Sequence, residues 1–260
     1  MAGSNGQHFL AAAGVMAAFC VYILKPDLFP ALSPEQSAAF KAAPVIVLAL
    51  GVAYGATAGK PQPVTSYAWL VCAGLLASGC GDVFLEFEDR NSGAPEGVKG
   101  IDFFLLGLVS FFVGHVAYVW AFWMDAFPPI SNALPLAAYG AGLVSYMWEH
   151  IPADLKVPVI AYATVICLMA FRAISRHYTT PYSRPGAASF ITGAAGALLF
   201  VVSDSVLALN KFLPQPVLPA PYGRLAVMAT YYAAQLLIAA SATTNLPSGA
   251  FLKLNSDKSA

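Results

Sequence analysis

Two aspartates stand where apolar side chains are expected. Asp204 interrupts GALLFVVSDSVLALNKF (196–212), and Asp82 interrupts SGCGDVFLEF (78–87). A carboxylate inside an apolar span is costly, and such residues usually mark a working site. Two carboxylates in one poorly solvated cavity divide the labour. Burial and mutual repulsion keep one protonated as a proton donor, while its partner stays ionised as a base or countercharge. That is acid–base chemistry. A fixed ion pair with Lys41 is the structural alternative, but one lysine does not neutralise both aspartates.

Further polar residues fall at similar depth. His115 lies about 14 residues into its apolar run, near mid-membrane at roughly 1.5 Å per residue. Gln235 is similarly central, with Tyr231 and Tyr232 a turn shallower. Lys41 begins an apolar run on the same side as both aspartates, and Ser203 directly precedes Asp204. Gly107, Phe111, His115 and Tyr118 form one helix stripe, as do Gly196, Phe200, Asp204 and Leu207. Each supporting residue also has a bland reading. His115 and Gln235 could be structural hydrogen-bonders, Tyr231 and Tyr232 belt residues, and Lys41 a snorkelling cation.

The elements that position these residues are membrane helices. The chain of 260 residues is 58% hydrophobic and 10% charged, whereas soluble domains carry about 25% charged residues. The fold class is therefore all-α, a polytopic membrane helix bundle. Eight spans are expected: Gln7–Leu24, Lys41–Ala58, Thr65–Leu85, Ile101–Met124, Ala133–Trp148, Val157–Ile174, Ala187–Leu209 and Leu225–Thr244. They form one domain over 1–246, followed by a polar tail at 247–260. The first run has no Lys or Arg before it, so it reads as a retained helix and not a cleaved signal. Prolines mark the connections, and Glu86–Lys99 reads as a charged loop. Gly51, Gly55 and Gly59 form a ridge suited to internal packing.

Eight spans put both termini on one side, and the Arg172–Arg184 cluster assigns that side to the cytoplasm. The polar set occupies the middle and the opposite half of the membrane, so a polar cavity opening to that side is expected. The four cysteines lie in apolar runs without CxxC spacing, which makes them packing residues. Zero formal net charge and the lack of a basic tail argue against nucleic acid as a partner.

Four segments together carry a family resemblance. GDVFL (81–85), GLVSFFVGHVAYVWAF (107–122), FVVSDSVLALNKF (200–212) and YYAAQLLIAAS (231–241) resemble, in order, the YhhN / TMEM86 family of lysoplasmalogenases. The resemblance runs from about Lys41 to Ser241. It implies hydrolysis of the vinyl ether bond of a lysophospholipid substrate drawn from the lipid bilayer, releasing a fatty aldehyde and a glycerophospho-head product. It maps the family's intramembrane aspartates to Asp82 and Asp204, and its motif histidine, tyrosine and glutamine to His115, Tyr232 and Gln235. No cofactor and no metal are expected. The location would be the endoplasmic reticulum membrane in a eukaryote or the cytoplasmic membrane in a bacterium.

The chemistry fits the residues. A vinyl ether breaks when a proton adds to its β-carbon and water traps the resulting oxocarbenium ion. Glycosidases likewise pass such a state between two carboxylates. In this reading His115 and Tyr232 orient water or a carboxylate, Gln235 bonds the glycerol hydroxyl or phosphate, and Lys41 attracts the phosphate.

Three other readings compete. A Ser-His-Asp hydrolase could be assembled from Ser203 or Ser78 with His115, but no Gly-x-Ser-x-Gly elbow is present. A zinc amidase needs more than His115, because His8, His150 and His177 lie at span ends or in loops. A proton-coupled transporter or receptor could use the same aspartates, although most prolines fall at span ends and leave the helices unbroken.

Overall fold

The computed structural model describes residues 2–57, 62–91, 102–123, 130–176 and 186–243. The expected connections at Lys60–Pro61, Asn91–Lys99, Pro128–Pro129 and Pro181–Pro185 lie wholly or partly outside these residues, as does the tail at 247–260. Among the described residues all regular structure is helical. The α-helices are α1 (Ala2–Leu24), α2 (Pro34–Thr57), α3 (Gln62–Asn91), α4 (Phe103–Ala121), α5 (Leu134–Met147), α6 (Lys156–Ser175), α7 (Ala187–Phe212) and α8 (Tyr222–Thr243). Seven of them are long and apolar enough to cross a membrane. Large apolar side chains such as Leu50, Trp69, Leu76, Val109, Trp120 and Val202 point outward and exposed. This coat suits lipid, and the chain is a multi-pass membrane protein.

The fifth expected span differs. α5 has 14 residues, about 21 Å at 1.5 Å per residue, against hydrocarbon about 30 Å thick. Short 3-10 turns at Ile130–Ala133 and Trp148–His150 extend it at both ends. α5 still connects opposite ends of the bundle: Met147 at its far end packs with Phe104 at the start of α4 and Phe212 at the end of α7. Pro135 in its first turn and the break before Pro152 keep it short.

Two other boundaries move residues of interest. α2 starts at Pro34, seven positions before Lys41. Ser33 and Gln36 make a capping box: Ser33 Oγ accepts from the Gln36 amide at 3.3 Å, and Gln36 Oε1 accepts from the Ser33 amide at 2.9 Å. Pro34 follows as the first helical residue, where its missing N–H costs nothing. Lys41 is therefore two turns inside the helix and buried. α3 continues to Asn91, so Glu86 is a buried helical residue and not part of a loop.

α3 and α8 sit centrally. α8 packs on α1, α2, α3 and α7, and α3 packs on α2, α4 and α8. α5 lies outside this ring against α6. Close approach depends on glycine at particular points. A Cβ at Gly74 would stand 2.2 Å from the Tyr118 ring, and one at Gly51 would stand 3.1 Å from His8 Cβ. The second contact seats Gly51 of the α2 ridge against α1. All four cysteines are free.

Candidate active site

Asp82 and Asp204 line the same cavity of about 380 Å³, together with Lys41, Tyr162, Ser203 and Tyr231. Each helix presents its carboxylate inward because its small residues face the bundle. Gly81 lies against Phe111 of α4, and Gly196 lies against Ala234 and Ile238 of α8.

Each carboxylate has a tyrosine. The Tyr231 hydroxyl donates to Asp82 Oδ2 at 2.6 Å, and the Tyr162 hydroxyl donates to Asp204 Oδ2. His115 Nε2 lies 2.9 Å from the Tyr162 oxygen and 3.6 Å from Asp204 Oδ2. The single Tyr162 proton goes to Asp204, so His115 Nε2 must donate to the Tyr162 oxygen. His115 Nδ1 is buried and has no hydrogen-bond partner among the described residues. Phe200 joins the two halves, with its ring 4.6 Å from His115 and 5.4 Å from Tyr231 between centroids.

A charged cluster borders this centre. Glu86, one turn after Asp82, is fully buried. It lies 3.8 Å from Lys41 Nζ, accepts from Ser37 Oγ at 2.5 Å and is ion-paired with Arg224. Lys211 pairs with Glu88 at 2.7 Å. Lys41, Lys211 and Arg224 all reach the cavity lining, so three cations stand on its polar side.

On its other side the cavity meets an apolar chamber. Asp204, Tyr162, Phe111 and Leu85 line both. The chamber is bounded further by Phe104, Met147 and Val201, between α4, α5, α6 and α7. Asp204 thus stands where polar and apolar space join.

Three residues singled out in the sequence stand behind this lining. Tyr232 points away from the carboxylates and donates to the Lys41 carbonyl oxygen at 2.8 Å, while its ring meets Phe19 of α1 edge to face. Neighbouring helix positions point about 100° apart, so once Tyr231 faces Asp82, Tyr232 must turn toward α1 and α2. Gln235, one turn deeper, accepts from Tyr118 at 2.7 Å. His115 acts on the cavity through Tyr162. Ser203 Oγ donates to the Val227 carbonyl and Ser78 Oγ to the Gly74 carbonyl, so both are spent in helix packing and assemble no serine triad with His115. Lys41 pairs with Glu86 and not with an aspartate.

Tyr162, Glu86 and Arg224 were not singled out as site residues. Glu86 had a readable signal, since it follows Asp82 by four positions and Ser78 by eight on one stripe. Tyr162 sits in the apolar run AYATVICLMA, where nothing sets it apart.

Comparison with known proteins matches this sequence to one family. The YhhN family profile covers residues 36–242. The chain belongs to the YhhN family. Lysoplasmalogenase TMEM86B of Homo sapiens is 33% identical over 181 residues, 70% of this chain and 66% of its own length. Lysoplasmalogenase TMEM86A of Bos taurus is 32% identical over 230 residues, 86% of this chain and 85% of its own length. A lysoplasmalogenase of Mycobacterium bovis is 27% identical over 211 residues, 78% of this chain and 68% of its own length. The chain thus spans just under two thirds of the human relative and more of the other two. No solved structure matches. Asp82, His115, Asp204, Tyr231 and Gln235 all lie inside the segment that the YhhN family profile covers.

Proposed function

We propose that this membrane protein is a lysoplasmalogenase, a hydrolase that cleaves the vinyl ether bond of 1-alkenyl glycerophospholipids with Asp82 and Asp204 as its acid–base pair. The observation that carries this reading is the shared cavity. Both carboxylates line it, Lys41, Lys211 and Arg224 border one side together with Glu88 and Asp89, and Asp204 opens on apolar space at the other. A lysolipid has the same order of parts. Its phosphate suits Lys211 and Arg224, its chain suits the apolar chamber, and the bond between them falls near Asp204. The names of the relatives support the same substrate class.

In this mechanism the Asp204 carboxyl gives its proton to the vinyl β-carbon. The cation that forms at the neighbouring carbon is stabilised by the Asp82 carboxylate, in a site where few waters compete. Water adds to that carbon and yields its proton to Asp82. The hemiacetal hydroxyl then returns a proton to Asp204, Asp82 passes its proton to the glycerol oxygen, and the carbon–oxygen bond breaks. Aldehyde and glycerophospho-alcohol leave, with one water consumed and both carboxyls restored. Tyr162 and Tyr231 hold the carboxylates in place, and His115 fixes Tyr162.

We infer further that the protein resides in the endoplasmic reticulum membrane of a eukaryotic cell or the cytoplasmic membrane of a bacterium, with both termini cytoplasmic. The sequence cluster of Arg172, Arg176 and Arg184 favours that orientation. The functional test is direct. Purified Asp82→Asn and Asp204→Asn should each lose at least about 1,000-fold in aldehyde release, a figure of the size found for groups that act only in the transition state. Near-wild-type turnover in both would remove the pair from catalysis.

A further inference from the structure

The polar mouth of the cavity carries charges of both signs. Lys211 Nζ lies 2.7 Å from Glu88 Oε1, and Arg224 Nε lies 3.8 Å from Asp89 Oδ2. All four side chains line the cavity. Both carboxylates can be reached from outside, Glu88 being 28% and Asp89 53% exposed. Behind them the buried Glu86 is shared by Lys41 and Arg224. The set is three cations and three carboxylates, balanced before any ligand arrives. A zwitterion keeps that balance, and an anion alone upsets it.

Reach along the helices fits a lipid head. Lys211 follows Asp204 by seven positions on α7, and Asp89 follows Asp82 by seven on α3, about 10.5 Å along each axis at 1.5 Å per residue. In a 1-alkenyl lysophospholipid the reacting carbon is six bonds from phosphorus and ten from the nitrogen of the head. Those separations are about 7.5 and 12.5 Å in an extended chain, at roughly 1.25 Å per bond. A lipid with its vinyl ether at Asp204 therefore carries phosphate and nitrogen across the level of these charges.

The kind of nitrogen follows from what meets it. Phosphate that draws Lys211 and Arg224 takes positive charge away from Glu88 and Asp89, and a cation in the head restores it. A primary ammonium does so with three N–H donors, and hydrogen bonds between charged groups are the strong ones. A trimethylammonium has no N–H and is recognised by cages of aromatic faces. Four rings line the cavity. Tyr162 and Tyr231 are bonded to the deep aspartates, and Phe111 packs on Tyr231. Phe104 already has Lys211 Nζ over its face at 4.6 Å. The mouth thus offers carboxylates and no aromatic cage among the described residues.

We propose that Glu88 and Asp89 form an ammonium subsite, and that the protein prefers lysolipids with a phosphoethanolamine head over those with phosphocholine or phosphate alone. Ion pairs exchange on binding: phosphate takes the cations and ammonium takes the carboxylates. The placement of the vinyl ether rests on the lysoplasmalogenase reading, while the preference rests on the charges at the mouth.

The test uses the full chain in uncharged maltoside detergent at low salt. Non-cleavable 1-alkyl lysophospholipids of one chain length, with ethanolamine, choline or phosphate alone as the head, compete with a fluorescent 1-alkyl lysophosphoethanolamine. The ethanolamine head should bind at least about fivefold tighter than either other head, the size of one partly exposed charge pair. Glu88→Gln combined with Asp89→Asn should bring the three heads within about twofold of one another, again the size of such a pair lost, and an unchanged melting temperature verifies the fold. Should the double variant not fold, Asp89→Asn at its exposed position must narrow the preference at least about twofold. Equal binding of ethanolamine and choline heads by the wild type overturns the proposal, and so does a preference that the folded variant keeps in full.

Aldehyde release from the matching 1-alkenyl lipids separates this from the reading beneath it. The preference for ethanolamine over choline should appear in KM, with kcat alike for both. Cleavage with equal KM overturns the subsite and leaves the hydrolase reading. A binding preference with no cleavage of either lipid overturns the hydrolase reading and leaves the subsite.

Discussion

The Tyr231 hydroxyl lies 2.6 Å from Oδ2 of Asp82 and donates to it. The two residues are 149 positions apart, on α3 and α8, the two central helices of the bundle. Tyr162 and Asp204 repeat the arrangement between α6 and α7. Each carboxylate thus has one oxygen fixed by a phenol from a neighbouring helix, which sets the direction of the whole group.

Removing either phenol should slow the reaction. A hydrogen bond to a charged group contributes about 1.5–3 kcal/mol, or roughly 10- to 100-fold in rate at 1.36 kcal/mol per decade. Tyr231→Phe and Tyr162→Phe should each lower kcat by that amount and leave KM within about twofold. Steady-state aldehyde release measures both constants.

His115 is a positioning residue, since it reaches Asp204 through Tyr162. His115→Ala should cost about tenfold in kcat, the size of one neutral hydrogen bond of ~1.4 kcal/mol. In the Tyr162→Phe background the same substitution should cost little more, because residues in one network are non-additive. Full additivity in that double-mutant cycle would separate His115 from Asp204.

Glu86 is a stability residue at the edge of the site. Breaking a buried pair leaves an uncompensated charge, at a cost of about 3–5 kcal/mol. Glu86→Gln takes the ion-pair partner from both Lys41 and Arg224 and should lower the unfolding temperature in detergent by several degrees. Glu86→Gln combined with Lys41→Met should recover part of the loss. A thermal shift series on the three proteins decides it.

Lys211 is about one-third exposed at the cavity mouth, where salt screens its attraction for phosphate within about 10 Å at 0.1 M. Lys211→Ala should raise KM about three- to tenfold at low salt, with kcat unchanged, a loss of roughly 1 kcal/mol. The difference from wild type should shrink at high salt. KM measured across a salt series tests this.

Much of the helix order was legible because each apolar run is long and bounded by proline, glycine or charge. The inward facing of Asp82, Asp204 and His115 was legible from helix periodicity alone. Partners across helices were not. Tyr162 is one aromatic among many in an apolar run, and only packing reveals that it meets Asp204. Tyr231 and Tyr232 are adjacent, and sequence cannot say which of two neighbours faces a carboxylate. Lys41 looked like an end residue because its run of apolar neighbours begins there, yet Ser33 and Gln36 start the helix two turns earlier. Glu86 looked like a loop residue because charge was read as exposure, whereas Ser37, Lys41 and Arg224 satisfy it inside the bundle.

The make-up of α5 also bears on how firmly that flank is held. Its 14 α-helical residues span about 21 Å, and the 3-10 turns at Ile130–Ala133 and Trp148–His150 carry the chain on toward each surface. Hydrogen bonds in 3-10 turns have poorer geometry than those of an α-helix. Both ends of α5 should therefore exchange amide protons faster than the neighbouring ends of α4 and α6, beside the chamber that Asp204 lines.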